Sequence, residues 1–231
     1  MKTLTEFSTR NELDLSLAQT VSGLLDQAIK KNGKASIAVS GGSTPKGFFN
    51  ELSQSNIAWE QVTITLADER WVENDSVDSN TRLVHENLLQ NRAAAAKFFH
   101  LKRGEEFSVE TLNDLNLEAN STVLPLDVLI LGMGEDGHTA SLFPCSEQIE
   151  QGLSIDNKDA LLKVTPKTAP HERISFTFSA LSQSENIFLH LCGENKKTVL
   201  EQAQESENIF EMPIRAFLHH PTLKTQVYWA P

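Results

Sequence analysis

An α/β fold, a mostly parallel sheet wrapped by helices, is what this chain predicts, and three observations predict it. Helix-spaced and strand-like apolar segments alternate from Leu13 onward. The run Val128–Leu131 is apolar without interruption, which suits a central parallel strand covered on both faces. Two strand ends pass into glycine turns, one at Gly41-Gly42-Ser43-Thr44-Pro45 and one through Gly132, Gly134 and Gly137. Ligands of open α/β sheets collect outside such carboxyl ends. With 231 residues and no convincing linker, the chain is expected to form a single domain over residues 1–231 with a substantial core.

Apolar residues at 13, 17, 21, 24, 25, 28 and 29 give helical spacing over Leu13–Lys30, and Asn32-Gly33 supplies the stop. Ala35–Val39 is a short apolar strand. The GGSTP turn then opens a helix running to about Ser53, with Ser43 or Thr44 available as cap and Pro45 suited to the first turn. Val62–Leu66 is the next strand, ending in the polar stretch Ala67–Val72. Thr81–Leu89 is helical, Ala93–Leu101 supplies a helix end and a strand around Phe98-Phe99, and Leu112–Glu118 is a helix. After the central strand the glycine turn hands over to a short helix at about Thr139. Leu161–Val164 and Arg173–Phe178 follow as strands, and the alternation in the latter leaves one face open to solvent. Asn186–Leu191 is a strand, Gly193–Lys197 opens a helix to Gln204, and Val227–Trp229 closes the chain.

Composition narrows the function. The net charge of −11, with 20 scattered basic residues, argues against nucleic acid as a main partner. An anionic small substrate stays compatible with this if a few cations converge locally. The first twelve residues carry Glu6 and Glu12 and no apolar core of a signal peptide, and no run of about 18 apolar residues suggests a membrane span, so a cytoplasmic location is expected. Cys145 and Cys192 lack metal spacing, and no His, Cys and carboxylate cluster suggests zinc.

The chemistry-bearing groups sit at the strand ends. In the GGSTP turn, Gly41 and Gly42 permit close backbone approach, and the motif has two readings: the amides of a helix start with the hydroxyls of Ser43 and Thr44 form a preformed phosphate site, or Ser43 simply caps the helix. Spacings for a Walker A loop and for GxGxxG are both absent. Lys196 lies at another strand-to-helix transition, within reach of an anion held there, although a lysine at such a place can equally be a solvated surface residue. Arg70 and Arg173 offer bidentate partners for phosphate or carboxylate; Arg70 has the alternative of pairing with Asp68 or Glu69 beside Trp71. Asn80 and Arg82 read as a helix cap and an exposed face. His138, two residues after Asp136, is the leading acid–base candidate, a spacing by which Asp136 could orient the imidazole; the alternative is a histidine satisfied by backbone in a tight turn. There is no GxSxG elbow for a serine nucleophile.

Taken together, SGGSTPKGFF, LADERWV, SNTRLVHENLL, DVLILGMGEDGHTASLFP, HERISFTFSAL and GENKKTVL resemble, in this order, the 6-phosphogluconolactonase family of the pentose phosphate pathway. The resemblance covers about residues 35–200 and is most specific at GMGEDGHTASLFP; Met212–Pro231 matches less well. It implies a Rossmann-like α/β fold with helices on both faces of the sheet, shared with glucosamine-6-phosphate deaminases and ribose-5-phosphate isomerases. It also implies an enzyme free of cofactor and metal that hydrolyses 6-phospho-D-glucono-1,5-lactone, working as a monomer or small homo-oligomer. His138 is then the general base, the 6-phosphate lies against Gly42, Ser43 and Thr44, and Arg70 and Lys196 are cationic partners, with Arg173 a further candidate. Asp68 would hold the sugar or a proton. Glucosamine-6-phosphate deaminases place a glutamate five residues after the corresponding histidine, where this chain has Phe143. That departure favours hydrolysis over isomerisation with deamination. A non-catalytic sugar-phosphate sensor of this fold would carry a DNA-binding module for which the residues before the first strand leave no room.

Overall fold

A computed structural model describes residues 3–231; Met1 and Lys2, at the start of the expected domain and of the stretch read for a signal peptide, lie outside the described residues. The chain begins with β1 (Thr3–Glu6), a strand the sequence reading did not expect, and α1 (Arg10–Asn32). Thr9 caps α1 by accepting from the Glu12 amide. Gly33, at φ +74°, closes it with an N–H to Ile29 O bond of 2.8 Å, a left-handed residue that glycine adopts without steric cost. There follow β2 (Ala35–Val39), α2 (Lys46–Ser53), β3 (Val62–Leu66), β4 (Asp68–Arg70), α3 (Asn80–Asn87), β5 (Lys97–Phe98), α4 (Val109–Thr122) and β6 (Val128–Leu131). The second half holds α5 (Ile149–Leu153), β7 (Leu161–Val164), β8 (Arg173–Phe176), α6 (Phe178–Leu181), β9 (Asn186–Cys192), α7 (Glu194–Gln204), α8 (Arg215–Leu218) and β10 (Thr225–Ala230).

Seven strands form a sheet in the order β1-β10-β9-β6-β2-β3-β5, parallel at every pairing. β2 and β6 are buried along their whole length, as central strands covered on both faces must be. The chain moves outward from β2 through β3 to β5 and then returns to place β6 on the other side of β2. The switch point therefore lies between the carboxyl ends of β2 and β6. Ser40 pins these ends together: its hydroxyl donates to Ile130 O at 3.1 Å and accepts from the Gly132 amide at 3.1 Å.

Beside the mostly parallel sheet that the sequence predicts lies a second, three-stranded antiparallel sheet, β4-β8-β7. It also corrects the reading of Arg173–Phe178. The strand ends at Phe176 and both its faces are buried, because it is the middle strand of this small sheet. The helix expected at about Thr139 does not form. Its polar groups go to tertiary partners instead: Thr139 donates to Gly132 O at 2.8 Å, the Ser141 amide donates to Ser175 Oγ at 3.1 Å, and Ala140 sits at φ +48°. Side chains of both sheets join one continuous apolar core, which includes Ile37, Phe48, Ile130, Phe176 and Phe188.

Candidate active site

At the switch point lies a cavity of about 280 Å³, walled by the ends of β2, β6 and β9 and by β4 and β8. It brings together Gly41, Gly42, Ser43, Thr44, Asp68, Arg70, His138, Arg173 and Lys196. Of the residues singled out from the sequence only Asp136 is outside the lining, and it reaches the site through His138. The volume suits a small, monosaccharide-sized ligand.

The turn after β2 differs in detail from expectation. Neither Ser43 nor Thr44 caps α2: the N-cap position is Pro45 and receives no side-chain hydrogen bond. Both residues thus line the cavity without a capping role. Gly42, at φ +94°, turns the backbone, while Gly41 is needed for a neighbour, since a Cβ there would lie 1.9 Å from Asn80 Oδ1. Lys196, in the first turn of α7, makes no ion pair among the described residues, whereas the adjacent Lys197 is tied to Glu6 at 2.9 Å and lies over the Trp229 ring. Of the two lysines it is Lys196 that lines the cavity.

Arg70 and Arg173 are directly opposite each other in the β4–β8 register. Arg70 does not pair with Asp68 or Glu69 through its side chain; its Nη1 donates to Asp78 O at 2.6 Å. Arg173 donates to Pro170 O at 3.2 Å, lies 3.9 Å from Asp68 and stacks over Phe143. Burial and the neighbouring Arg70 lower the Arg173 pKa, against the pull of Asp68. Both guanidinium Nε groups are buried without a hydrogen-bond partner. Two adjacent cations with unused N–H groups can together hold an anion. Asp68 is buried and accepts a short hydrogen bond from the Ser141 hydroxyl, which leaves it the carboxylate that steadies Arg173.

His138 follows the β6 turn. Its Nδ1 is 2.6 Å from Asp136 Oδ1, and its backbone N–H donates to the same oxygen at 3.1 Å. Burial alone would raise the Asp136 pKa, but the hydrogen bonds and charge of His138 outweigh it and the net shift is downward. Ionised Asp136 accepts, so Nδ1 carries the proton and Nε2 keeps its lone pair. Phe143 stacks on the imidazole with ring centroids 4.1 Å apart. Gly134 makes room for the pair, since a Cβ there would stand 2.1 Å from His138 Nδ1.

Two residues of the site were not read from the sequence. Ser79, not Asn80, caps α3; Asn80 is buried, donates to Asp68 O at 3.0 Å and lines the cavity. Glu69 is buried at the start of the same helix. It accepts from the amides of Arg70 (2.7 Å), Asn80 (2.8 Å) and Thr81 (2.6 Å) and from the Ser79 hydroxyl (3.1 Å). A carboxylate at a helix N-terminus satisfies its orphan amides, and here it fixes β4 to α3 under the cavity floor. Arg215 is structural: it donates to Gln202 O and Ala203 O at the end of α7.

Fold and site define an α/β protein whose switch point, in a parallel sheet, holds a cavity lined by two arginines, a lysine and a histidine paired with an aspartate. Residues 8–229 match the family described as glucosamine-6-phosphate isomerases/6-phosphogluconolactonase, and the chain belongs to that family. A 6-phosphogluconolactonase of Rhizobium meliloti is 42% identical over 97% of this chain and 97% of its own. One from Neisseria meningitidis serogroup A is likewise 42% identical, with 97% of each chain covered. The crystal structure of a 6-phosphogluconolactonase from Shewanella baltica superposes with a TM-score of 0.96 at 43% identity, covering 100% of this chain and 98% of that one.

Proposed function

We propose that this protein hydrolyses 6-phospho-D-glucono-1,5-lactone to 6-phospho-D-gluconate in the oxidative pentose phosphate pathway. Its relatives over nearly the whole chain bear the name of that activity. The observation that carries the mechanism is the His138–Asp136 pair facing, across one cavity, an uncapped turn and three cations. The 6-phosphate lies against Gly41, Gly42, Ser43 and Thr44, with Lys196, Arg70 and Arg173 supplying positive charge. His138 Nε2 takes a proton from the water that attacks C1, and the C1 carbonyl oxygen becomes an oxyanion facing backbone amides of the glycine turn or a neighbouring cation. Collapse of the tetrahedral intermediate breaks the bond from C1 to the ring oxygen, and the imidazolium returns its proton to that oxygen. Asp136 holds the ring and its tautomer; Asp68 holds Arg173.

Phe143 separates this reading from isomerisation with deamination. The ring-stacked phenyl stands where the deaminase glutamate is expected, so no carboxylate follows the histidine to move a further proton. The chemistry calls for no cofactor or metal. The protein is read as a cytoplasmic enzyme acting as one domain over residues 1–231, a monomer or small homo-oligomer with no nucleic-acid or membrane partner. No helix among the described residues is long and apolar enough to cross a membrane. The test is to generate the lactone in situ and compare its decay with and without the protein, with glucosamine 6-phosphate as a parallel substrate. Faster lactone decay and no ammonia release are expected. Decay at the buffer rate, or turnover of the amino sugar, would overturn the assignment.

A further inference from the structure

Asp14, on α1, packs against the start of α2 from outside the cavity. It is 9% exposed and abuts the first turn of α2, where a Cβ on Gly47 would lie 2.0 Å from its Oδ2. The Phe48 amide lies beside it and pulls its pKa down against the effect of burial. The carboxylate thus occupies the helix start that Pro45 leaves without a side-chain cap. Its Oδ1 has no hydrogen-bond partner and lies 3.6 Å from Nε2 of His190, which lines the cavity. A buried carboxylate with an idle oxygen is costly, and no step of the reaction above uses it.

We propose that Asp14 is an electrostatic counterweight to the phosphate turn: its charge shares the N-terminus of α2 with the 6-phosphate and limits how tightly phosphate is held. This rests on the reading that phosphate lies against residues 41–44. A helix start carries about half a positive charge; a carboxylate placed on it cancels much of that and repels a dianion. Substrate, transition state and product carry the same phosphate, so the effect falls on binding of all three and leaves the chemical step alone. The product then leaves more readily.

The charged and titratable groups facing Asp14 are Arg10 on its own helix, Glu51 on α2, and His190 and Cys192 on β9. Arg10 is engaged with Pro231 O at 3.1 Å. Burial pulls the His190 pKa down to about 4, so it stays neutral and does not offset the carboxylate. Burial, with Glu51 adding to it against the Phe48 amide and Arg10, pushes the Asp14 pKa up to about 6. The counterweight is therefore charged at neutral pH and discharges under mild acid.

Sulfate is the probe, because it keeps its two charges between about pH 5.5 and about pH 8. Asp14→Asn should bind sulfate roughly fivefold to tenfold more tightly than wild type near pH 8, with the ratio falling toward one near pH 5.5. It should also lower KM for the phosphorylated lactone at unchanged kcat. Lys196→Ala locates the probe by weakening it. If Lys196→Ala weakens sulfate but Asp14→Asn does not tighten it, or tightens it equally at both pH values, the counterweight is wrong and the phosphate reading stands. If Lys196→Ala leaves sulfate unchanged, the phosphate reading fails and takes the counterweight with it. Should Asp14→Asn not fold, a His138→Asn protein, in which the imidazole paired with Asp136 is gone, serves instead. Its sulfate affinity must rise several-fold on acidification, and a flat profile overturns the proposal.

Discussion

A Glu69→Gln substitution removes a negative charge and almost no volume from a side chain only 1% exposed. Oε1 accepts from the Arg70 and Asn80 amides, and Oε2 from the Thr81 amide and the Ser79 hydroxyl. Glutamine keeps one oxygen, so its NH₂ must face at least one backbone N–H that then has no acceptor. An orphaned buried donor costs about 1–3 kcal/mol, and the bonds that survive lose charge assistance worth about 1 kcal/mol each. The sum is about 3–5 kcal/mol, which in a chain of this size lowers Tm by about 6–20 °C. The loosened β4–α3 junction also carries Arg70 and Asn80, so KM rises at temperatures where the variant is still folded. Urea and thermal unfolding measure the first effect and steady-state kinetics the second. A loss below about 1 kcal/mol would refute the claim that this carboxylate organises the cavity floor.

Three further outcomes are expected. Gly134→Ala drives a Cβ to 2.1 Å from His138 Nδ1 and 2.7 Å from Asp136 Oδ1; displacing the base by about 1 Å should cut kcat about a hundredfold with little change in KM, and near-normal turnover would contradict the geometry. Lys196→Ala should raise KM while kcat holds within a few-fold, because a phosphate contact acts equally in ground and transition states; a matching fall in kcat would count against that role. His190 takes up a proton near pH 6.5 when unfolded but only near 4 in the fold, where burial opposes the charge. Between those values the unfolded state binds more protons, so stability falls with falling pH, and His190→Gln should flatten that loss in unfolding titrations.

Strands were legible where apolar residues dominate a short run, most plainly at Val128–Leu131, where burial on both faces leaves a mark in every residue. Ala35–Val39, Val62–Leu66, Val128–Leu131 and Leu161–Val164 have the bounds expected of them. β1 was not, because Thr3–Glu6 is a largely exposed edge strand held by the backbone of β10. Turn chemistry likewise pointed to Ser43, Thr44 and His138, whose roles depend on glycines nearby in the chain. Glu69 and Asn80 carry no such local sign. Glu69 is defined by donors ten to twelve residues on, brought to it by the way β4 meets α3. The helix expected after Gly137 failed for a related reason: Ser141 satisfies partners on β4 and β8, Thr139 reaches back to Gly132, and local propensity could not show them. Lys196 and Lys197 are identical in local pattern, and only the partners of Lys197, Glu6 and Trp229, tell them apart.

The measurement that bears most directly on the account is the decay of 6-phosphogluconolactone, generated in situ, with wild type, with His138→Ala and in buffer alone. Fast decay with wild type and a return of the folded variant to within a few-fold of the buffer rate, at little change in KM, is the predicted result. A His138→Ala protein that keeps most of the wild-type turnover would show that the proton is moved by some other group, and the mechanism built on the His138–Asp136 pair would be wrong.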